Sequence, residues 1–337
     1  MHSQGDPARL FRAGVFLSYL PHNPALYRAG GWRASGGPGS PGWKSFLRQF
    51  YPRPVLRAAY ERARLLLESN GGAFDFRVVT IWEKTYPRAL AEIFDPPPAL
   101  YIKGDLPPPD AWMVAVVGTR NPMPFTADVI RILCADIRRV HVGPEDPVIV
   151  SGLARGVDRQ AHLAQIQAGL PGVAVLGTGI DIVSPPRNRD LPGIARRAGV
   201  PFALVSEFPP GTPGYPGNFP RRNRIIAGLS GKTILIQAPF KSGAMITARF
   251  ALNEGREVVV FDHALFAGGG NAGGRELLAQ GAELLRVPDW ESRIVREPPF
   301  PAGASPGADP RQLAFWSDRS RGRLRRIAPG VFWRSRP

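Results

Sequence analysis

Hydrophobic residues between positions 112 and 261 fall into short continuous runs, separated by longer segments with helical spacing. From Trp112 onward these runs are MVAVVG, PVIVSG, VAVLG, ALVSE, TILIQA and EVVVF. Continuous apolar strands that alternate with amphipathic helices are typical of a mostly parallel sheet covered on both faces. The pattern therefore predicts a doubly wound α/β domain over residues 112–298.

The N-terminal part has a different pattern. The segment PVLRAAYERARLLLES has apolar residues at helical spacing, and the Pro-, Gly- and Ser-rich stretch GGWRASGGPGSPGW is interpreted as a loop. The run AGVFLSYL follows Arg9 and Arg12 as in a short signal sequence, but no small-residue cleavage pattern follows and Pro21 interrupts it. We interpret it as the first helix of a small helical domain over residues 1–75.

Two further segments are rich in proline. Residues 76–111 mix strand-like runs with prolines and are interpreted as a connecting extension. Residues 299–337 mix arginines with Pro, Gly and the aromatic residues Phe315, Trp316, Phe332 and Trp333. Such a segment cannot form a large core. It is expected to be a tail without a winged helix, either a disordered arm that contacts nucleic acid or a solvated extension.

Glycine-bearing turns follow several of the predicted strands. Ligands of doubly wound sheets bind beyond the carboxyl ends of the strands, and there a glycine turn followed by a helix start offers free N–H groups to an anion. The first two such turns contain the candidates Gly118, Thr119, Arg120, Ser151, Gly152 and Gly156. A third contains Lys241, Ser242 and Gly243. There, Ser242 either only caps the next helix, or the free amides also hold a phosphate.

The stretch FPRRNRIIAGLSG sets arginines against an apolar helical turn. Arg222, Asn223 and Arg224 begin this turn, and each arginine either binds a phosphate or pairs with a carboxylate such as Glu207 or Asp158. Phe219 either stacks on an unpaired base or fastens the loop to the helix. For Asp158 and Asp181 we favour structural roles.

Composition adds a charge argument and excludes several classes of site. The net charge of +16 over 337 residues attracts polyanions. An arginine-rich habit of the source organism would give the same value, so the positions of the arginines decide. The single cysteine, Cys134, excludes a disulfide framework and indicates a reducing compartment. The five histidines are scattered, so no metal or other cofactor is expected, and no run is long enough to span a bilayer.

Two sequences that suggest an enzyme do not fit their motifs. The string SGKT, Ser230 to Thr233, lacks the first glycine of a nucleotide-binding P-loop, because Ile226 occupies that position. Ser151, Asp158 and His162 suggest a hydrolase, but Ser151 is not in a G-x-S-x-G turn. We therefore predict that the protein is not an enzyme.

Taken in order, the motifs GTR, SGLARGVDRQAH, AVLGTGIDIVSPPRN, SEFPPGT, FPRRNRIIAGLS and KSGAMITARFALNEGREVVVF are more specific than any one alone. Together with the lead-in YPRALAEIFDPPPALYIKGDL, this set resembles the DNA-processing protein A family (DprA, also called Smf) over Phe76 to Val287. The resemblance implies a Rossmann-like core and a degenerate SAM-like N-terminal domain. It also implies a cytoplasmic homodimer that binds single-stranded DNA and loads the recombinase RecA in natural transformation.

The chain departs from the family pattern at three places. Gln237 stands where the family usually has an acidic residue, and Ser184 with Pro185 replaces Tyr-Pro. FDHALFAGGGNAGG replaces a Pro-Gly turn, and its glycine-rich part is interpreted as a flexible loop. Two alternative functions remain: a phosphoribohydrolase-like enzyme, although KSGAMITA replaces that group's PGGxGT loop, and a nucleotide sensor without catalysis.

Overall fold

The computed structural model describes residues 7–23, 38, 40, 42–69, 75–140, 145–266, 269–287, 294–296, 324–328 and 331–334. Within them the helices are α1 (Pro7–Ser18), α2 (Trp43–Phe50), α3 (Arg53–Glu68), α4 (Arg88–Ala91), α5 (Thr126–Val140), α6 (Val157–Gln167), α7 (Leu191–Arg197), α8 (Asn218–Leu229), α9 (Gly243–Asn253) and α10 (Ala272–Ala279). A turn of 3-10 helix covers Pro186–Asn188. Of these helices, none combines the length and the apolar composition that crossing a membrane requires.

The main sheet contains nine of the described strands. They are β1 (Arg77–Thr80), β2 (Ala99–Gly104), β3 (Met113–Val117), β4 (Val148–Ser151), β5 (Gly172–Val175), β6 (Phe202–Ser206), β7 (Lys232–Leu235), β8 (Glu257–Val260) and β9 (Glu283–Leu284). Their order across the sheet is β1-β2-β6-β5-β4-β3-β7-β8-β9. The seven strands from β6 to β9 in this order run parallel, which confirms the predicted doubly wound, mostly parallel fold.

The segment from 76 to 111 does more than connect, because it supplies two strands to this sheet. β1 pairs antiparallel with β2, and β2 pairs antiparallel with β6. The prolines that suggested a connection lie between the strands, where Tyr86 Oη donates to the carbonyl oxygen of Pro97 over 2.7 Å. The strand-like runs of this segment are therefore strands of the main sheet, whereas its interpretation as a connecting extension with boundaries at residues 75 and 111 stays a prediction.

Both faces of the sheet are buried, as the continuous apolar runs require. In β3, Met113, Ala115 and Val117 pack into one core cluster with α8 and α9. Val114 and Val116, at the alternate positions, pack into a second cluster with α5 and α6. Every side chain of this central strand is therefore inside the protein, and only the strand ends can reach a ligand.

The N-terminal helices pack together and against the β1–β2 edge of the sheet. Trp43, Phe46 and Leu47 of α2 form a core cluster with α1 and α3. Ser18 Oγ lies 2.8 Å from Tyr101 Oη, which links α1 to β2. The predicted helical character of this part is confirmed.

The C-terminal residues that the structure describes include strands. β10 (Ile294–Arg296), β11 (Leu324–Ala328) and β12 (Val331–Arg334) form an antiparallel sheet in the order β10-β12-β11. Phe332 and Trp333 belong to β12, while Phe315 and Trp316 lie outside the described residues. β12 pairs with both β10 and β11, and the two roles expected of this tail, an arm that contacts nucleic acid or a solvated extension, stay predictions.

Candidate nucleic-acid interface

One large pocket lies beyond the carboxyl ends of β4 and β3 and extends to the loop after β7. The chain leaves β3 toward β4, β5 and β6 and returns to the other side of β3 with β7, so the pocket lies at the point where the strand order reverses, the usual ligand position in this architecture. Its volume is about 650 Å³. The predicted site residues that line it are Gly118, Thr119, Arg120, Gly152, Phe219, Arg222, Asn223, Ser242 and Gly243.

The first two glycine turns are held against each other by backbone contacts. Gly156 has a positive φ of 78°, and a Cβ atom there would lie 2.4 Å from the carbonyl oxygen of Thr119. The next amide, that of Val157, donates to the same oxygen over 3.1 Å. Gly156 therefore does not line the pocket but lets the turn that carries Thr119 and Arg120 approach the start of α6.

The two hydrogen bonds of the Gln237 side chain explain why an amide, and not an acidic residue, stands after β7. Its Oε1 accepts from the backbone N–H of Met123 over 2.9 Å, and its Nε2 donates to the carbonyl oxygen of Gly270 over 3.2 Å. A carboxylate could accept the first bond but could not donate the second. The amide thus joins the loop after β3 to the loop before α10.

Asn271 holds the loop before α10 against the segments that follow β7 and β8. The side chain is fully buried, its Oδ1 accepts from the backbone N–H of Ala238 over 2.8 Å, and its Nδ2 donates to Phe261 O and Asp262 Oδ1. Interpreting GGGNAGG as a flexible loop was wrong at Asn271. Ala267 and Gly268 lie outside the described residues.

Arg222 is a buried, charged component of the pocket wall. Its side chain is on α8, and Nη1 donates to the carbonyl oxygens of Gly152 and Val175 while Nε donates to Asn223 Oδ1 over 3.2 Å. Burial lowers the pKa of Arg222 to about 10, against the opposing effect of Asp158. The guanidinium is therefore still charged at neutral pH, and its hydrogen-bond partners in the described residues are uncharged oxygens.

Of the three residues that suggested a hydrolase, only Asp158 lines the pocket. Ser151 Oγ is buried and donates to the carbonyl oxygen of Val116 over 2.8 Å. His162 is fully buried against the ring of Phe202, and burial lowers its pKa to about 3. Asp158 does line the pocket, but its Oδ2 accepts from the backbone N–H of Ala154, and burial raises its pKa. Neither Ser151 nor His162 is among the lining residues.

Arg224 belongs to a buried ion-pair network instead of the pocket. Its Nε lies 3.0 Å from Asp95 Oδ2, and its Nη2 lies 2.7 Å from Glu207 Oε2. Arg221 shares Glu207 at 2.7 Å, and His22 Nε2 lies 2.5 Å from Asp95 Oδ2. Of the two roles considered for Arg224, this geometry favours pairing with a carboxylate. Through His22 and Asp95, the network also links the segment after α1 to α8.

The third glycine turn presents the start of α9 to the pocket. Ser242 occupies the N-cap position without making a side-chain cap bond, and its buried Oγ has no hydrogen-bond partner in the part of the chain that the structure describes. Capping alone therefore does not explain Ser242. Asn223 Nδ2 donates to Gly243 O over 3.1 Å, which fixes α9 to α8. Lys241 is exposed, has a positive φ of 58° and does not line the pocket.

Phe219 fastens the start of α8 to the loop after β5, and its stacking on a base stays a prediction. It lines the pocket, and its ring packs so closely on Gly177 that a Cβ atom there would lie 2.7 Å from Cδ1. Arg155, which the sequence interpretation missed as a site residue, also lines the pocket and is exposed. The sequence could have indicated Arg155 as a candidate, because it lies in the same glycine turn as Gly152.

The fold and the pocket define a Rossmann-like protein with a basic site at the carboxyl edge of its sheet. Within the described residues, no cluster of three or more His, Cys, Asp or Glu could hold a metal ion. Residues 77–293 match the family model of DNA recombination-mediator protein A. The chain belongs to this family.

Named relatives support this membership over different shares of their length. The chain is 37% identical over 257 residues to the DNA processing protein DprA of Bacillus subtilis, which covers 75% of this chain and 78% of that protein. It is 38% identical over 204 residues to the protein Smf of Escherichia coli, covering 60% of this chain but 52% of the relative.

Two solved structures are similar to this fold. DNA processing protein A from Streptococcus pneumoniae matches with a TM-score of 0.68 and 29% identity, over 84% of this chain and 96% of that one. The Helicobacter pylori protein, whose structure addresses a single-stranded DNA binding mode, matches with a TM-score of 0.52 and 27% identity, over 64% and 94% of the two chains.

Proposed function

We propose that this protein binds single-stranded DNA in the pocket at the carboxyl edge of the sheet, largely independently of sequence and without a chemical step. The observation that carries the proposal is the charged guanidinium of Arg222 in the pocket wall, bonded to backbone carbonyls and not to a carboxylate. Arg120 and Arg155 add exposed positive charge beside it. Arginine forks and helix N-termini are the groups that bind phosphate.

A single strand fits this site better than a duplex does. The pocket of about 650 Å³ is large enough for part of an unstacked nucleotide, and the ring of Phe219 in its wall can stack on a base. Duplex bases are already stacked and paired, so they cannot enter without being unpaired. The H. pylori relative, studied for its binding of single-stranded DNA, supports this choice.

The wider role rests on family membership. We propose that the protein acts as a cytoplasmic homodimer that protects incoming single strands and passes them to a RecA-type recombinase in natural transformation or recombination. The family description as a recombination mediator supports this role. Coprecipitation of the protein with purified recombinase, with and without oligonucleotide, tests this role. If the two proteins coprecipitated only when DNA was present, they would merely bind the same strand.

The binding proposal is tested by fluorescence anisotropy with labelled oligothymidylate and a duplex of equal length over a salt series. Contacts to about four phosphates predict a slope of log affinity against log salt near −3. Preference for the duplex, or an affinity independent of salt, would contradict the proposal. Unlabelled mononucleotides serve as competitors, because strong competition would favour a nucleotide sensor.

One observation keeps an enzymatic alternative worth testing. Asp158 is a buried carboxyl in the pocket with a raised pKa, and such groups occur as general acids. Its bond to the Ala154 amide supports a structural role instead. Release of base from nucleoside monophosphates that disappears in Asp158→Asn would establish the enzymatic alternative, and we expect no release from either protein.

A further inference from the structure

Two exposed aromatic residues lie close in sequence to residues that line the pocket, without lining it themselves. Tyr215 has 60% of its surface exposed, and Phe240 has 55%. Tyr215 immediately precedes Pro216, which lines the pocket, and Phe240 lies two residues before the lining residue Ser242. Exposed rings next to a ligand site offer flat apolar surface to a bound group.

The loop that carries Tyr215 is held in place by several hydrogen bonds. Asp181 accepts the backbone N–H of Gly211 at 2.9 and 3.0 Å, and the carbonyl oxygen of Thr212 accepts the N–H of Gly179 at 2.8 Å. The backbone N–H of Asn218 donates to the carbonyl oxygen of Tyr215 over 2.9 Å, which closes the turn before α8. The loop is therefore ordered while its aromatic ring is exposed, an arrangement that suits a preformed contact.

The sheet topology places the loops that carry Tyr215 and Phe240 at different positions along its carboxyl edge. The loop with Tyr215 packs above the end of β5 through Gly179 and through Phe219 on Gly177, and Phe240 follows β7. Between β5 and β7 lie β4 and β3, so the two strands are three spacings apart, about 14 Å. The loops after β4 and β3 bring Arg155 and Arg120 into this interval.

We propose that Tyr215 and Phe240 are stacking platforms for two bases of one DNA strand, on either side of the nucleotides held in the pocket. Bases stack on exposed aromatic rings whatever their sequence. Lys241 Nζ lies 5.9 Å from the centre of the Phe240 ring, so a phosphate of the stacked nucleotide has a cation beside it. This inference rests on the proposed binding of single-stranded DNA and extends its path across the sheet edge.

The test compares Tyr215→Ala and Phe240→Ala with Tyr215→Phe and Phe240→Tyr, which keep a ring. Tyr60→Ala is the matched control, because Tyr60 is 58% exposed on α3, among the N-terminal helices. Affinity is measured for oligothymidylate and for an oligonucleotide of equal length made of abasic sites. The abasic strand keeps its phosphates and lacks the bases that would stack.

Each alanine variant should lower the affinity for oligothymidylate about tenfold, within the range found for base stacking. The ring-keeping variants and the Tyr60 control should bind like the original protein. Affinity for the abasic strand and the salt slope should be unchanged in all variants. Equal losses on both strands, or no loss on oligothymidylate, would overturn the stacking inference, whereas failure of the original protein to bind any single strand would overturn the proposed function itself.

Discussion

Arg222 and Arg224 lie two residues apart on α8, yet Arg222 lines the pocket while Arg224 forms buried ion pairs with Asp95 and Glu207. Side chains at positions i and i+2 of a helix do not share a face, so one turn of α8 serves two surroundings. The relation divides the arginine cluster into one residue that lines the pocket and one that pairs with buried carboxylates. The two should therefore respond to mutation in different ways.

Arg224→Ala should destabilise the protein by up to about 3 to 5 kcal/mol, because Asp95 and Glu207 would lose the buried guanidinium that they share and keep only His22 and the partly exposed Arg221. Urea unfolding measures this loss. Arg221→Ala is the control, since Arg221 is partly exposed and Arg224 would still pair with Glu207, so about 1 kcal/mol or less is expected. Unchanged stability with lost DNA affinity would contradict the structural assignment of Arg224.

Arg120→Ala should weaken binding of oligothymidylate about tenfold at low salt, because an exposed pocket arginine would lose one phosphate contact. The slope of log affinity against log salt should become shallower by about 0.7, and the melting temperature should stay the same. Arg196→Ala removes an arginine that is also exposed but does not line the pocket. An equal effect of both variants would indicate a general charge effect and not a contact.

The sequence predicts those parts of this fold that local pattern determines. Continuous apolar runs identified β3 to β8, and glycine turns identified the edge of the sheet that carries the pocket. The division between Arg222 and Arg224 could not be predicted, because Asp95 comes from a segment 129 positions away in the chain. The role of Asn271 could not be predicted either. Glycines dominate its local sequence, and its partners Ala238 and Phe261 lie in the segments that follow β7 and β8.

Gly152→Ala should lower DNA affinity by displacing the Arg222 side chain. A Cβ atom at this position would lie 2.6 Å from Arg222 Nη2 and 2.7 Å from Cζ, closer than atoms can approach. Gly231→Ala is the control, because nothing lies within 4 Å of its Cβ position. Anisotropy titrations with oligothymidylate should show a loss only for Gly152→Ala, and normal binding by this variant would mean that Arg222 need not occupy its observed position.

The buried imidazole of His162 should make stability fall in mild acid. Burial lowers its pKa from 6.5 to about 3, so the unfolded chain binds a proton between these values that the folded chain does not. The contribution of the neutral imidazole to the free energy of unfolding is complete above pH 6.5 and is lost as the pH falls toward 3, about 5 kcal/mol in full. Urea unfolding of His162→Leu should therefore depend less on pH in this window than the original protein does.

Asp95 titrates lower on the pH scale and provides a second, separable acid effect. Burial by itself would raise its pKa, but the hydrogen bond from His22 and the charge of Arg224 outweigh burial and hold the pKa below its usual value. Its stabilisation is present above the unfolded pKa near 4 and is lost as the pH falls through the folded value. If His162→Leu left the entire acid dependence unchanged, carboxylates such as Asp95 would account for all of it.

Arg222→Ala should affect binding and stability together, and the two effects can be separated. Binding to oligothymidylate should weaken about 10- to 150-fold, because one charge-assisted phosphate contact contributes about 1.5 to 3 kcal/mol. Stability should fall by about 1 to 3 kcal/mol, since the carbonyl oxygens of Gly152 and Val175 would lose a buried donor. Affinity must therefore be measured where unfolding curves show the variant to be fully folded.

Arg222→Lys is the informative companion, because it keeps the charge but not the planar fork of donors. A lysine ammonium cannot reach the Gly152 and Val175 carbonyls and a phosphate with the same geometry, so the affinity should lie between those of Arg222→Ala and the original protein. The salt slope should stay near that of the original, since the charge is retained. If folded Arg222→Ala bound oligothymidylate as tightly as the original protein, Arg222 would be a structural residue like Arg224 and the DNA would bind elsewhere.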